Sequence, residues 1–236
     1  MANDGNSGGQ EEDLRFKDLS GQNLTGANLY RVNLEGANLS RSILRFANLC
    51  VANLNKANLE LADLGGANLV GATLVGANLK EANLKQSNLD ATDLTSANLY
   101  LANLFGAHLG NANLSNTEMG GAELIKATLT DANLSNADLR AADLSAANLQ
   151  GANLSFAWMA GANLQGAHLV NVNLQGAQLF DSYMPAANLI AANLEGANLC
   201  GANLYFANLW NANLNNADLS KANLTGARMP DGTIHD

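Results

Sequence analysis

The sequence predicts an all-β solenoid, and three observations carry that prediction. Leu returns every fifth residue from Leu14 to Met229, which makes 44 repeats with no slipped register and no inserted loop. The residue two before each Leu is Ala in all but ten repeats, and the residue between is usually Asn or Asp, as in Ala187-Asn188-Leu189-Ile190-Ala191. A period of five suits neither ordinary element. A helix would turn each Leu by about 140° from the last and scatter them around its circumference. A straight strand would send alternate leucines to opposite faces, half of them into water. Only a chain that turns a corner once per repeat keeps every Leu and every small residue inside, and a fixed period is the mark of a stacked-repeat fold.

Taken in order, residues 1–11 are polar and Gly-rich with no apolar run, which predicts a disordered N-terminal tail. They lack the basic start and apolar core of a signal peptide, and no later stretch approaches about eighteen apolar residues. A cytoplasmic protein with no membrane contact is the expectation. The repeats then run over residues 12–231. Glu12, Lys17 and Gln22 stand where later repeats have Ala, as suits an end layer open to water. Met119, Met159, Met184 and Met229 replace Leu with an unbranched side chain of similar volume. The two prolines, Pro185 and Pro230, leave the hydrogen bonding nearly intact. Pro230-Asp231-Gly232 is a turn signal, and residues 232–236 are expected to form a tail that covers the last open edge.

The Ala-(Asn/Asp)-Leu-x-x phrase resembles the motif of the pentapeptide-repeat family over about residues 12–231, and Met229-Pro230-Asp231-Gly232-Thr233-Ile234-His235 is similar to the closing segment of its cyanobacterial members. The resemblance implies a right-handed quadrilateral parallel β-helix of about eleven coils. Four repeats would make one coil, and coils stacked about 4.8 Å apart would give a rod roughly 50 Å long.

On that geometry most candidate chemistry falls away. Cys50 and Cys200 lie on different sides and roughly 35 Å apart, beyond disulfide reach, so they are expected to be free thiols in a reducing compartment. His108 and His168 share a side but sit three coils apart, about 14 Å, whereas ligands of one metal each lie about 2.1 Å from it. Glu118 and Asp138 stack in neighbouring coils, where like charges would raise one pKa. They would nonetheless stand on a flat wall with no nucleophile and base. Asn133, Asn153, Asn173, Asn193 and Asn213 recur every twenty residues and read as a structural ladder. Nothing calls for a cofactor or an enzyme.

A net charge of −9 disfavours direct nucleic-acid binding. It raises an alternative, because some members of the family bind DNA gyrase by imitating duplex DNA, so the chain could be a DNA-mimic modulator of such a topoisomerase. Against this, one side carries seven carboxylates with four bases and the next three with three, so neither is a continuous acidic stripe. The aromatic residues are more informative. All twelve occupy outward positions, and Phe156, Trp158, Phe180, Tyr183, Tyr205, Phe206 and Trp210 crowd into fifty-five residues. No Lys or Arg occurs from residue 141 to 220. Exposed aromatics among few charges are what an interface core prefers, so the expected function is a non-enzymatic, protein-binding scaffold or regulator. Its partner would be an unidentified protein; the sequence leaves its own oligomeric state open, with a monomer favoured over an oligomer.

Overall fold

Each pentapeptide in the computed structural model, which describes residues 13–236, makes one β-bridge and one turn. The residue before each Leu pairs in parallel with the residue twenty positions later, from Asp13 with Asn33 through to Asn208 with Arg228. Twenty residues per circuit and five per side give four sides. Each side is a single bridge rather than an extended strand. Its hydrogen bonds come in pairs: the Leu19 amide donates to the Asn38 carbonyl at 2.7 Å, and the Asn38 amide donates to the Lys17 carbonyl at 2.9 Å. The Gly-rich segment 1–11 and Glu12 lie outside the described residues.

The corner is made by the two residues after Leu. The amide three residues beyond Leu donates back to its carbonyl, as from Lys17 to Leu14 at 3.2 Å. The second corner residue has φ between 54° and 71° in every repeat from Phe16 to Gly226. That left-handed conformation costs an L-residue roughly 1 kcal/mol, and most of the glycines stand there for that reason. The Asn before Leu stabilises the same corner. Its Oδ1 accepts the amide two residues on, as from Ser115 to Asn113 at 3.2 Å. A proline has no amide to give, and the residues two before Pro185 and Pro230 are Tyr183 and Arg228 instead of Asn.

Leu and Ala fill the interior. The inward leucines of the repeat from Leu34 to Leu209 are at most 1% exposed, and each buried Leu contributes roughly 1.5–3 kcal/mol. Where Ser or Thr replaces the small Ala, its hydroxyl finds a local acceptor: Ser42, Ser87, Thr92 and Thr117 each donate at 2.7 Å to the Leu carbonyl three residues before. Ser182 has no such partner. At the N-terminal end Leu14, Leu19 and Leu24 are only partly buried, and Lys17 and Gln22 reach solvent.

The C-terminal end turns back on itself. Gly232 donates to the Met229 carbonyl at 2.9 Å and Met229 to that of Thr233 at 2.8 Å, and Ile234 pairs antiparallel with Arg228. This short hairpin lies along the outer edge of one side of the last coil.

Candidate functional site

The outward side chains sit in three environments set by the corner geometry. Between Asn113 and Asn213 one side carries an unbroken ladder, in which each Asn Nδ2 donates to the Oδ1 of the Asn below at 3.1–3.2 Å. These asparagines hold coil to coil, each one below Asn213 spending its Oδ1 on the corner amide and on the Asn above. His108 and His168 share a side with Thr128 and Asn148 between them in the bridge ladder. Among the described residues no three His, Cys, Asp or Glu side chains gather as a metal site, and both cysteines are free.

The stacked carboxylates do not face each other alone. Glu118 and Asp138 are bridge partners, yet the Asp138 carboxyl is held below its ordinary range instead of above it. Arg140 donates to it from Nε at 2.8 Å and from Nη2 at 2.5 Å, and these charge-assisted bonds outweigh partial burial.

All seven aromatics in question are exposed, from 37% for Phe180 to 58% for Phe206, and they have different neighbours. Phe156 and Phe206 occupy left-handed corners, and each ring lies over the glycine twenty residues later, Gly176 and Gly226. A Cβ on either glycine would stand 2.6–2.8 Å from the ring. Phe16 over Gly36 and Phe46 over Gly66 repeat the arrangement. The corner phenylalanines are therefore lids on the glycines of the next coil. That pairing is visible in the sequence as Phe followed by Gly at a spacing of twenty. Phe206 also meets Tyr205 edge-on, with centroids 4.4 Å apart.

Trp210 has a different partner. The Arg228 guanidinium lies 5.1 Å from its ring centroid, brought there as the chain enters the C-terminal hairpin. Sequence reasoning found no cation for this stretch because Arg228 lies beyond it. Two more rings carry an arginine of their own chain, Tyr30 under Arg31 at 5.2 Å and Phe46 under Arg45 at 5.5 Å. Trp158, Phe180, Tyr183 and Tyr205 have no cation over them among the described residues. They occupy two adjacent sides, with Trp158 and Phe180 on one and Tyr183 and Tyr205 on the next. Beside Trp158 lies a shallow groove of about 340 Å³, lined also by Glu118, Asp138, Arg140 and Asn136.

The family model for pentapeptide repeats matches in overlapping segments from residues 13–41 to 202–231. The chain belongs to the pentapeptide-repeat family. Its four-sided coil is the right-handed quadrilateral β-helix of that family. Among solved structures this pentapeptide-repeat protein is similar to HetL, a pentapeptide repeat protein involved in heterocyst differentiation regulation from the cyanobacterium Nostoc sp. strain PCC 7120. The two are 37% identical over 95% of this chain and 92% of HetL, with a TM-score of 0.71. Rfr23 from the cyanobacterium Cyanothece 51142 is 36% identical over 46% of this chain and 64% of its own, with a TM-score of 0.31. QnrB1, a plasmid-mediated fluoroquinolone resistance protein, is 17% identical over 72% and 88%, with a TM-score of 0.41. The last two likenesses carry no functional weight here. Among curated proteins nothing matches the chain. No helix among the described residues is long and apolar enough to cross a membrane.

Proposed function

We propose that this pentapeptide-repeat protein is a non-enzymatic, cytoplasmic scaffold: a rod of eleven coils, about 50 Å long at the usual strand spacing, that docks another protein on two adjacent sides. The observation that carries this reading is the row of uncovered rings. Trp158, Phe180, Tyr183 and Tyr205 are 37–52% exposed and, among the described residues, have neither an arginine over the ring nor a glycine of the next coil beneath it, unlike Trp210 and the corner phenylalanines. Exposed aromatics grouped on neighbouring sides mark an interaction surface, and such residues dominate binding energy where a partner covers them. The solenoid presents them on a rigid backbone, so little ordering entropy is lost on association. The likeness to HetL over nearly the full length of both chains supports a regulatory role exerted by binding.

The topoisomerase reading finds less support. Its basis is the net charge of −9, and the acidic surface is interrupted by pairs such as Arg45 with Asp63 at 3.5 Å and Arg140 with Asp138 at 2.5 Å.

The test is a pull-down from the native cell. Trp158→Ala with Tyr183→Ala should leave the circular dichroism unchanged and abolish partner capture. Trp210 is left alone because its loss would also release Arg228. Capture that survives the double substitution would remove these two sides from consideration.

A further inference from the structure

We infer that the aromatic wall receives a basic segment of its partner, with Lys or Arg side chains laid against the rings of Trp158 and Tyr183 and opposite the carboxylates of Glu118, Asp143 and Asp181. This rests on the proposed interface and names the chemistry of what binds there. The chain itself supplies the precedent. Tyr30, Phe46 and Trp210 each hold an arginine 5.1–5.5 Å from the ring centroid, the distance at which the negative ring face attracts a cation. Trp158 and Tyr183 offer the same kind of face, 52% and 45% exposed, in a stretch that contains no Lys or Arg from 141 to 220.

The acids of these two sides are left in the same condition. Asp138 is neutralised by Arg140. Glu118, Asp143 and Asp181 have no ion-pair partner among the described residues. Asp143 accepts the Ser145 amide at 2.9 Å and the Asn163 side chain at 3.1 Å, which orients it without cancelling its charge. Glu118 lines the groove whose wall is Trp158, together with Asp138 and Arg140, whose charges cancel each other, so a long cationic side chain entering there would meet a ring face and the unpaired Glu118 carboxylate together. An acidic or neutral segment would meet uncompensated like charge or bury these carboxylates without a partner, and both outcomes oppose binding.

The experiment uses the full chain carrying Trp210→Phe, so that Trp158 is the sole tryptophan. The probes are an acetylated nonapeptide of alternating Arg and Ala and its Glu-and-Ala counterpart. The Arg peptide should shift Trp158 emission saturably, and the Glu peptide should not. Glu118→Gln with Asp181→Asn should weaken Arg-peptide binding at least tenfold. Glu35→Gln with Glu60→Gln, which removes the same charge near the other end, should change it less than twofold. No saturable shift, or an equal loss from both charge pairs, overturns the inference. If Trp158→Ala abolishes capture of the native partner while the Arg peptide fails to bind, the basic-segment assignment alone is wrong. If capture is indifferent to Trp158→Ala, the interface and this inference fall together.

Discussion

Residues 13–60 and residues 141–220 are built on one backbone and treat their aromatic rings in opposite ways. In the first region Tyr30 lies under Arg31 and Phe46 under Arg45, and Phe16 and Phe46 each cover a glycine of the next coil. In the second, Phe156 repeats the corner arrangement over Gly176, but Trp158, Phe180, Tyr183 and Tyr205 are exposed with no cation upon them among the described residues. The bridges, corners and buried leucines are the same in both regions. Coil stability and surface chemistry are therefore carried by separate positions of the repeat. Evolution could vary the outward residues without disturbing the stack, because each coil contacts only its neighbours.

The comparison can be broken first at the interior, where the effect is largest. Leu144→Lys would bury an unpaired ammonium at a position with no exposure and should cost more than about 4 kcal/mol, opening the coil locally. Leu24→Lys, in the partly open first coil, should cost far less. Urea denaturation of the two variants would measure the difference, and equal losses would mean that the end coil is as tightly packed as the middle.

The corner lids come next. Gly176 and Gly161 share the left-handed conformation, with φ of +66° and +64°, but a Cβ at Gly176 would stand 2.6 Å from the Phe156 ring while one at Gly161 meets nothing within 4 Å. Gly161→Ala should cost roughly 1 kcal/mol, the conformational term alone. Gly176→Ala should lower the melting temperature further, because the ring must move. Identical melting temperatures would show that the phenylalanine is not held against the glycine.

The smallest change in stability should come from exchanging the two regions' cations. Arg45→Ala should cost about 0.5–1 kcal/mol through its ring contact. Gln178→Arg places an arginine at the bridge partner of Trp158, giving that ring a cation of its own. It should leave the unfolding transition within about 0.5 kcal/mol of the parent and abolish partner capture. A Gln178→Arg protein that still captures its partner would mean that the bare ring is not what the partner recognises.

Much of this was legible in the residues because it is local. The inward Leu and Ala follow from the period. The Asn recurs because its side chain accepts an amide two residues on, and Pro185 and Pro230 fall where that residue is Tyr or Arg. The pairing of Phe156 with Gly176 is also written in the chain, but at a spacing of twenty, and it means nothing until the four-sided circuit makes those positions neighbours. Of the seven aromatics picked out as a candidate site, Phe156 and Phe206 lie over a glycine of the next coil, Trp210 lies under Arg228 and Tyr205 meets Phe206 edge-on. Trp158, Phe180 and Tyr183 have no such partner among the described residues. The lowered pKa of Asp138 was not legible from the stacked pair of acids, because its cause is Arg140 two residues away, which donates to the carboxylate from Nε and Nη2.

The chain by itself determined that its leucines are buried, that it bends after each one, and which residues face outward, since burial and turn formation act over five residues. Tertiary structure alone decided which outward side chains meet. Arg228 reaches Trp210 only where the chain passes into its C-terminal hairpin, and whether a ring is covered or bare depends on the coils above and below it. Cation and ring attract only across a few ångströms, a distance set by how the coils stack and not by position along the sequence.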